Sequence, residues 1–141
     1  MKQRLEKFLD EYGWKYDFHL PSCLETGWKS TAKFFPVEIT WNDSTVVIEV
    51  SPFVLLSETM MHERGIPQVL NELNRDLKFV RLCTDDSGAI YLRCELWTEE
   101  MTYVSFERAL STLGYYAQEV YPRLLAEVHI AVASQSQKML T

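Results

Sequence analysis

The stretch from Gly65 to Trp97 constrains the fold most, because it reads as one amphipathic helix followed directly by one β-hairpin. Gly65-Ile66-Pro67 opens the helix, and proline is tolerated in a first turn because its missing N–H would have no intrahelical partner. Ile66, Val69, Leu70, Leu73 and Leu77 then recur at helical spacing and form one apolar stripe. Gln68, Glu72, Arg75 and Asp76 occupy the other side, so the helix lies on a platform. Two alternating runs follow, 78–83 and 89–97, separated by Asp85-Asp86-Ser87-Gly88. That is a hairpin pattern. Leu82 is expected to face Ile90 and Val80 to face Leu92, which collects four apolar side chains on one face. Phe79, Arg81, Tyr91, Arg93, Glu95 and Trp97 fall on the other. A slip of one residue would exchange the two faces, so the pattern itself specifies which face is buried.

The rest of the chain supplies more pieces of the same kind. Leu5, Phe8, Leu9 and Tyr12 make a short helical stripe that Gly13 should end. Trp14 to Leu20 alternates like a strand, whereas 21–33 reads as a loop or an irregular edge with Trp28 as an anchor. Residues 35–41 and 45–51 form a second hairpin pattern. With Asn42-Asp43 as the turn, Ile39 faces Val46, Val37 faces Ile48 and Phe35 faces Val50. Pro36 points to a sheet edge or a strand entry, and Pro52 should end the second strand. Met60 and Met61 either present an adaptable surface or, on the plainer reading, fill the gap between this hairpin and the helix at 65. Beyond Thr98, Ser105 is the expected N-cap of a long C-terminal helix. Its stripe runs through Phe106, Leu110, Leu113, Ala117, Val120, Leu124, Leu125 and Val128, with Pro122 expected to bend or interrupt it.

The order α-β-β-β-α-β-β-α, with segregated strands, favours an α+β fold in which helices pack on an antiparallel sheet of about five strands. At 141 residues the chain is most simply one domain, 1–133, followed by a solvated C-terminal tail at 134–141. A hydrophobic fraction of 47% and a charged fraction of 24% are ordinary for a folded domain. The net charge of −6, with no basic run, is a poor match to a phosphate backbone and argues against a nucleic-acid partner. No secretory leader pattern and no long apolar run is present, so no membrane association and a cytoplasmic location are expected.

Reactive clusters are missing from the pattern. Cys23, Cys83 and Cys94 are scattered without CxxC spacing, and Cys83 and Cys94 should point to opposite hairpin faces, so reduced thiols are expected. His19, His62 and His129 show no metal-ligand spacing. Neither a glycine-rich phosphate loop nor a nucleophile elbow is present. Asp85-Asp86 is better explained by turn geometry than by acid–base chemistry. The chain is therefore expected to be no enzyme and to carry no cofactor.

Aromatic side chains, in contrast, make up 13% of the chain. The face carrying Phe79, Arg81, Tyr91, Arg93 and Trp97 mixes aromatics with arginine, the composition of protein contact surfaces. The same face would also suit a solvated sheet with Arg stacked on aromatic rings. Tyr115, Tyr116, Tyr121 and Leu124 cannot share one helix stripe, and a homodimer would cover the surplus. A second reading is a small-molecule sensor or enzyme with a pocket between helices and sheet, lined by Tyr16, His19, Trp28 and Arg93.

The run Val69-Leu70-Asn71-Glu72-Leu73-Asn74, the Asp85-Asp86-Ser87-Gly88 turn, Glu95-Leu96 and Phe106-Glu107-Arg108-Ala109-Leu110 resemble the bacterial YbjN-like family. That family is described as a sensory-transduction regulator. The match covers the second half of the chain well. The resemblance implies a type III secretion chaperone-like fold and a non-enzymatic, homodimeric module, regulator or chaperone-like, that binds a protein partner. Its motifs are structural and transfer no binding residues.

Overall fold

Elements run in the order α1 (Lys2–Tyr12), β1 (Asp17–His19), β2 (Cys23–Lys29), β3 (Phe34–Trp41), β4 (Thr45–Leu55), α2 (Ile66–Asn74), β5 (Arg81–Thr84), β6 (Ala89–Trp97) and α3 (Tyr103–Leu140). The computed structural model describes residues 1–19, 21–31, 33–57, 60 and 65–140, the stretch 130–140 for its backbone alone. Among these residues one six-stranded sheet forms, ordered β1-β2-β3-β4-β6-β5, and every pairing is antiparallel.

The sheet has one strand more than the sequence pattern suggested. Residues 23–29, expected to be a loop or an irregular edge, form β2, an interior strand between β1 and β3. Leu24, Thr26 and Trp28 point to the core opposite Ile39, Val37 and Phe35. A threonine and a glycine in the alternation dilute its apolar signal. The Thr26 hydroxyl satisfies itself by donating to the Lys15 carbonyl at 2.6 Å. Of the run from Trp14, only Asp17–His19 pairs as a strand. Trp14 stacks on Trp28 instead, with ring centroids 5.4 Å apart.

Both hairpins keep their expected faces but close two residues out of the expected register. Ile39 faces Ile48 and Val37 faces Val50, not Val46 and Ile48. Leu82 faces Leu92, not Ile90, and Thr84 faces Ile90. The reason is the same in each turn. Asn42 Oδ1 accepts from the N–H groups of Ser44 and Thr45 at 2.8 and 2.9 Å, so Asn42 sits beside the loop and Asp43-Ser44 forms it. Asp85 Oδ1 accepts from the N–H of Ser87 at 2.9 Å in the same manner. Gly88, at φ 91°, then closes that turn in a conformation that disfavours a side chain.

Other expectations about chain ends also change. Pro36 lies in an interior strand, at a level where the described β3–β4 ladder has ended. Pro52 does not stop β4, which continues to Leu55 with a shifted register between Val50 and Val54. That irregularity turns Phe53 into the core beside Phe35 and Tyr121. Leu77 lies beyond the end of α2. Thr102, not Ser105, caps α3: its hydroxyl accepts from the Ser105 N–H at 3.1 Å, and Ser105 Oγ accepts from the Thr102 N–H at 2.8 Å. This is a reciprocal capping box. The α3 backbone is helical through Pro122 and on to Leu140, across most of the segment expected to be a tail.

The core is a single layer between the sheet and the helices. Leu5 and Leu9 of α1, Ile66, Val69, Leu70 and Leu73 of α2, and the stripe from Phe106 to Val128 of α3 meet the inward residues of the strands. Leu125, expected in that stripe, is 43% exposed. Asn74 ties α2 to the outer edge of β5, donating to the Leu82 carbonyl at 3.1 Å and accepting from its N–H at 2.7 Å. One side chain thereby occupies a backbone donor and acceptor that an edge strand would otherwise offer to another chain. Met60 is half-buried against the core, while Met61 and His62 lie outside the described residues.

Candidate protein-binding face

All described helices join the core on one side of the sheet, so the residues alternating outward define a second, open face. Strand register places one transverse row across all six strands: Asp17, Glu25, Glu38, Glu49, Arg93 and Arg81. These residues are spread over the whole sequence and become neighbours only through pairing.

At the β4–β6–β5 end the charges alternate. Arg93 Nε donates to Glu49 at 2.9 Å, Arg93 also lies 3.7 Å from Glu95, and Arg81 reaches Glu95 at 2.6 Å. A hydrogen bond with the Cys83 side chain, opposed by partial burial and joined by Glu95, holds the Arg81 guanidinium above its ordinary value. Arg81, Tyr91, Arg93 and Trp97 thus share one face, as the alternation predicts. Trp97 is 64% exposed at the end of β6. Tyr91 donates to Asp85 at the hairpin turn. Phe79 is not on this strand face. It precedes β5 in a left-handed conformation at φ 68°, 88% exposed, because β5 starts only at Arg81.

At the β1–β3 end the same row carries carboxylates only. Asp17 stands opposite Glu25, Glu25 opposite Glu38, and Glu38 opposite Glu49. Among the described residues, Glu25 has an ion-pair contact only with His19, at 3.2 Å, and none reaches Asp17 or Glu38. Beside the row lies an open groove of about 1130 Å³ whose lining includes Asp17, Glu25, Glu38, Tyr16, Trp14 and Phe34. The sequence pattern does not show this acidic end because Glu25 lies in β2, whose stretch reads as a loop or an irregular edge. Partial burial, then Glu38 and Glu25, push the Cys23 thiol up, away from a reactive thiolate. Burial does the same to Cys94.

The four residues expected to line one pocket are not brought together. Tyr16 and Trp28 line the groove, His19 lines a separate hollow with Phe18 and Pro21, and Arg93 lines neither. No group of three His, Cys, Asp or Glu among the described residues is placed to hold a metal ion.

The match to a sequence family decides the identity. The model of the family YbjN, described as "Putative bacterial sensory transduction regulator", matches residues 2–126. The chain belongs to the YbjN family. Among curated proteins, nothing matches in sequence. In solved structures this YbjN-family chain is similar to a chain of the ExsC–ExsE complex, at 16% identity and TM-score 0.59, over 86% of this chain and 91% of the other. It is also similar to a chain of the ExoU–SpcU heterodimeric complex from the type III secretion system of Pseudomonas aeruginosa (18% identity, TM-score 0.53, 87% and 96% covered). A chain of the HopA1–SchA chaperone–effector complex is a third (14% identity, TM-score 0.53, 84% and 90% covered). The YbjN-family fold is thus type III secretion chaperone-like, as the sequence resemblance implied. Among the described residues no helix is long and apolar enough to cross a membrane.

Proposed function

We propose that this YbjN-family protein is a non-enzymatic protein-binding module of the cytoplasm, regulator or chaperone-like, that works as a homodimer. The observation that carries the reading is a sheet face left open by the described residues, with an exposed Trp97 on the same face as arginines already held in place by Glu49 and Glu95. Rigid aromatic and arginine side chains supply most of the energy at protein contacts, and pre-positioned ones lose less entropy on binding. Arg81, Tyr91, Arg93 and Trp97 are the proposed contacts, with the exposed Phe79 ahead of β5 as a further candidate. The three similar solved structures named above are complexes of proteins with proteins, one of them named a chaperone–effector complex, which supports the role by likeness of fold.

The test is a native pull-down of the tagged protein alongside a Tyr91→Ser/Trp97→Ser variant. A near-stoichiometric partner, lost in a variant that remains folded by circular dichroism, is the expected result. Equal capture by both proteins would remove the face from consideration. Sedimentation covers the dimer: a species that stays monomeric up to about 100 μM would make self-association too weak to matter.

A further inference from the structure

We propose that the uncovered edge of β2, from Gly27 to Lys29, is the surface through which two copies of this chain pair, edge to edge and antiparallel. This rests on the homodimer reading and names its surface. Hydrogen bonds to β3 set which way the backbone of β2 points. The Trp41 N–H donates to the Ser22 carbonyl at 3.2 Å, and the Ser30 N–H donates to the Lys33 carbonyl at 2.9 Å. Bonded positions alternate along an antiparallel ladder. Leu24, Thr26 and Trp28 therefore bond toward β3, while Cys23, Glu25, Gly27 and Lys29 turn their backbone groups to the other side. There β1 meets only Cys23 and Glu25, as partners of His19 and Asp17. The stretch ahead of Asp17 no longer pairs with β2. Trp14 stacks on Trp28 instead, and the Lys15 carbonyl accepts from the Thr26 hydroxyl. Among the described residues no hydrogen bond reaches the N–H or C=O of Gly27 or Lys29 from that side. The opposite edge of the sheet, at β5, is closed by Asn74.

Open backbone groups at a strand edge template another strand. Self-complementarity makes that strand a second copy. With a two-fold axis at Trp28, Gly27 of each copy stands opposite Lys29 of the other, and the open donors and acceptors of both edges are satisfied. The same register matches charge. Lys29 is exposed and makes no ion pair among the described residues. The Glu25 side chain stays 63% exposed beside His19. Within one chain the two lie on one face but about 13 Å apart along the strand, too far to pair. Across the axis, Lys29 is diagonal to Glu25 of the other copy, within reach of a long side chain, and the contact occurs twice. Gly27 carries no side chain to obstruct it. The Phe34 ring lies over Gly27, 54% exposed, and offers an apolar bed to the Lys29 stem. Half-buried Trp14 and Trp28 bring aromatic surface to the axis, where interface energy concentrates.

The test is sedimentation of the full chain from about 1 to 100 μM at near-physiological salt. Wild type is expected to dimerise. Lys29→Glu or Glu25→Lys alone turns both cross-axis pairs into like charges and should weaken association about tenfold or more. An equimolar mixture of the two variants restores both pairs and should dimerise as wild type does. Each variant changes an exposed side chain and should melt within a few degrees of wild type, so lost association will not be lost folding. Undiminished dimerisation by the single variants overturns the proposal, as does a mixture that associates no better than either alone. Both outcomes leave a homodimer through another surface standing. A wild type that is monomeric over the whole range overturns the proposal and the homodimer reading together, while partner capture through Tyr91 and Trp97 is untouched.

Discussion

The two ends of the open sheet face share a backbone geometry and solve the same electrostatic problem in opposite ways. Over β4, β6 and β5, carboxylate and guanidinium alternate as Glu49, Arg93, Glu95 and Arg81, and each charge meets its complement within the fold. Over β1, β2 and β3, carboxylate faces carboxylate. Among the described residues, carboxylate–guanidinium pairing across strands occurs at the β4–β6–β5 end, while at the other end the contact is between His19 and Glu25. Where that pairing is used, it orients the arginines on the same face as Tyr91 and Trp97.

Several substitutions would break or sharpen that contrast. The largest effect should come from crossing to the other side of the same strand. Leu92→Ala, at a fully buried position, is expected to cost about 3 kcal/mol in urea denaturation, and Trp97→Ser less than about 1 kcal/mol. Comparable losses would mean the outer face is covered. Next, Arg93→Met leaves the Glu49 carboxylate, only 13% exposed, without its partner, for a loss of about 1–3 kcal/mol. Adding Glu49→Leu should recover most of it. If Arg93→Met is silent, the paired end is no more structural than the unpaired one.

Thr102→Ala removes the α3 cap, remote from both ends, and should cost about 1 kcal/mol in urea denaturation. Glu38→Gln at the acidic end should move stability the other way, gaining a few tenths of a kcal/mol. The smallest effect is an acid-limb change at the hairpin turn. The Ser87 hydroxyl, opposed by slight desolvation and joined by the N–H groups of Ser87 and Ala89, holds the Asp85 carboxyl below its ordinary value. The folded form therefore favours the carboxylate. Its contribution is present above the ordinary carboxylate value and is lost as pH falls through the lowered one. Asp85→Asn should flatten that part of a stability–pH curve, and an unchanged curve would show that the turn bonds do not persist in solution.

Much of the fold was legible because it is written in local periods. Stripes of three to four residues marked α1, α2 and α3, and alternation marked which side chains of β3, β4, β5 and β6 face inward. Alternation is indifferent to a shift of two residues, however, so both hairpin faces were read correctly while both registers were not. The side chains of Asn42 and Asp85, each capturing backbone N–H groups further along the turn, decided that shift. The Leu70-Asn71-Glu72-Leu73-Asn74 run was recognisable as a pattern, but only the structure shows Asn74 occupying the edge of β5.

The sequence by itself therefore determined the elements other than β2, their buried faces, the family and the arginine–aromatic face of β6. Tertiary structure alone decided that β2 exists as an interior strand, that β4 lies beside β6, and that six distant charged residues form one row. The physical reason is range. A residue's inward or outward sense follows from its immediate neighbours. Which strands lie side by side outside the hairpins is chosen by packing of the whole sheet against α1, α2 and α3.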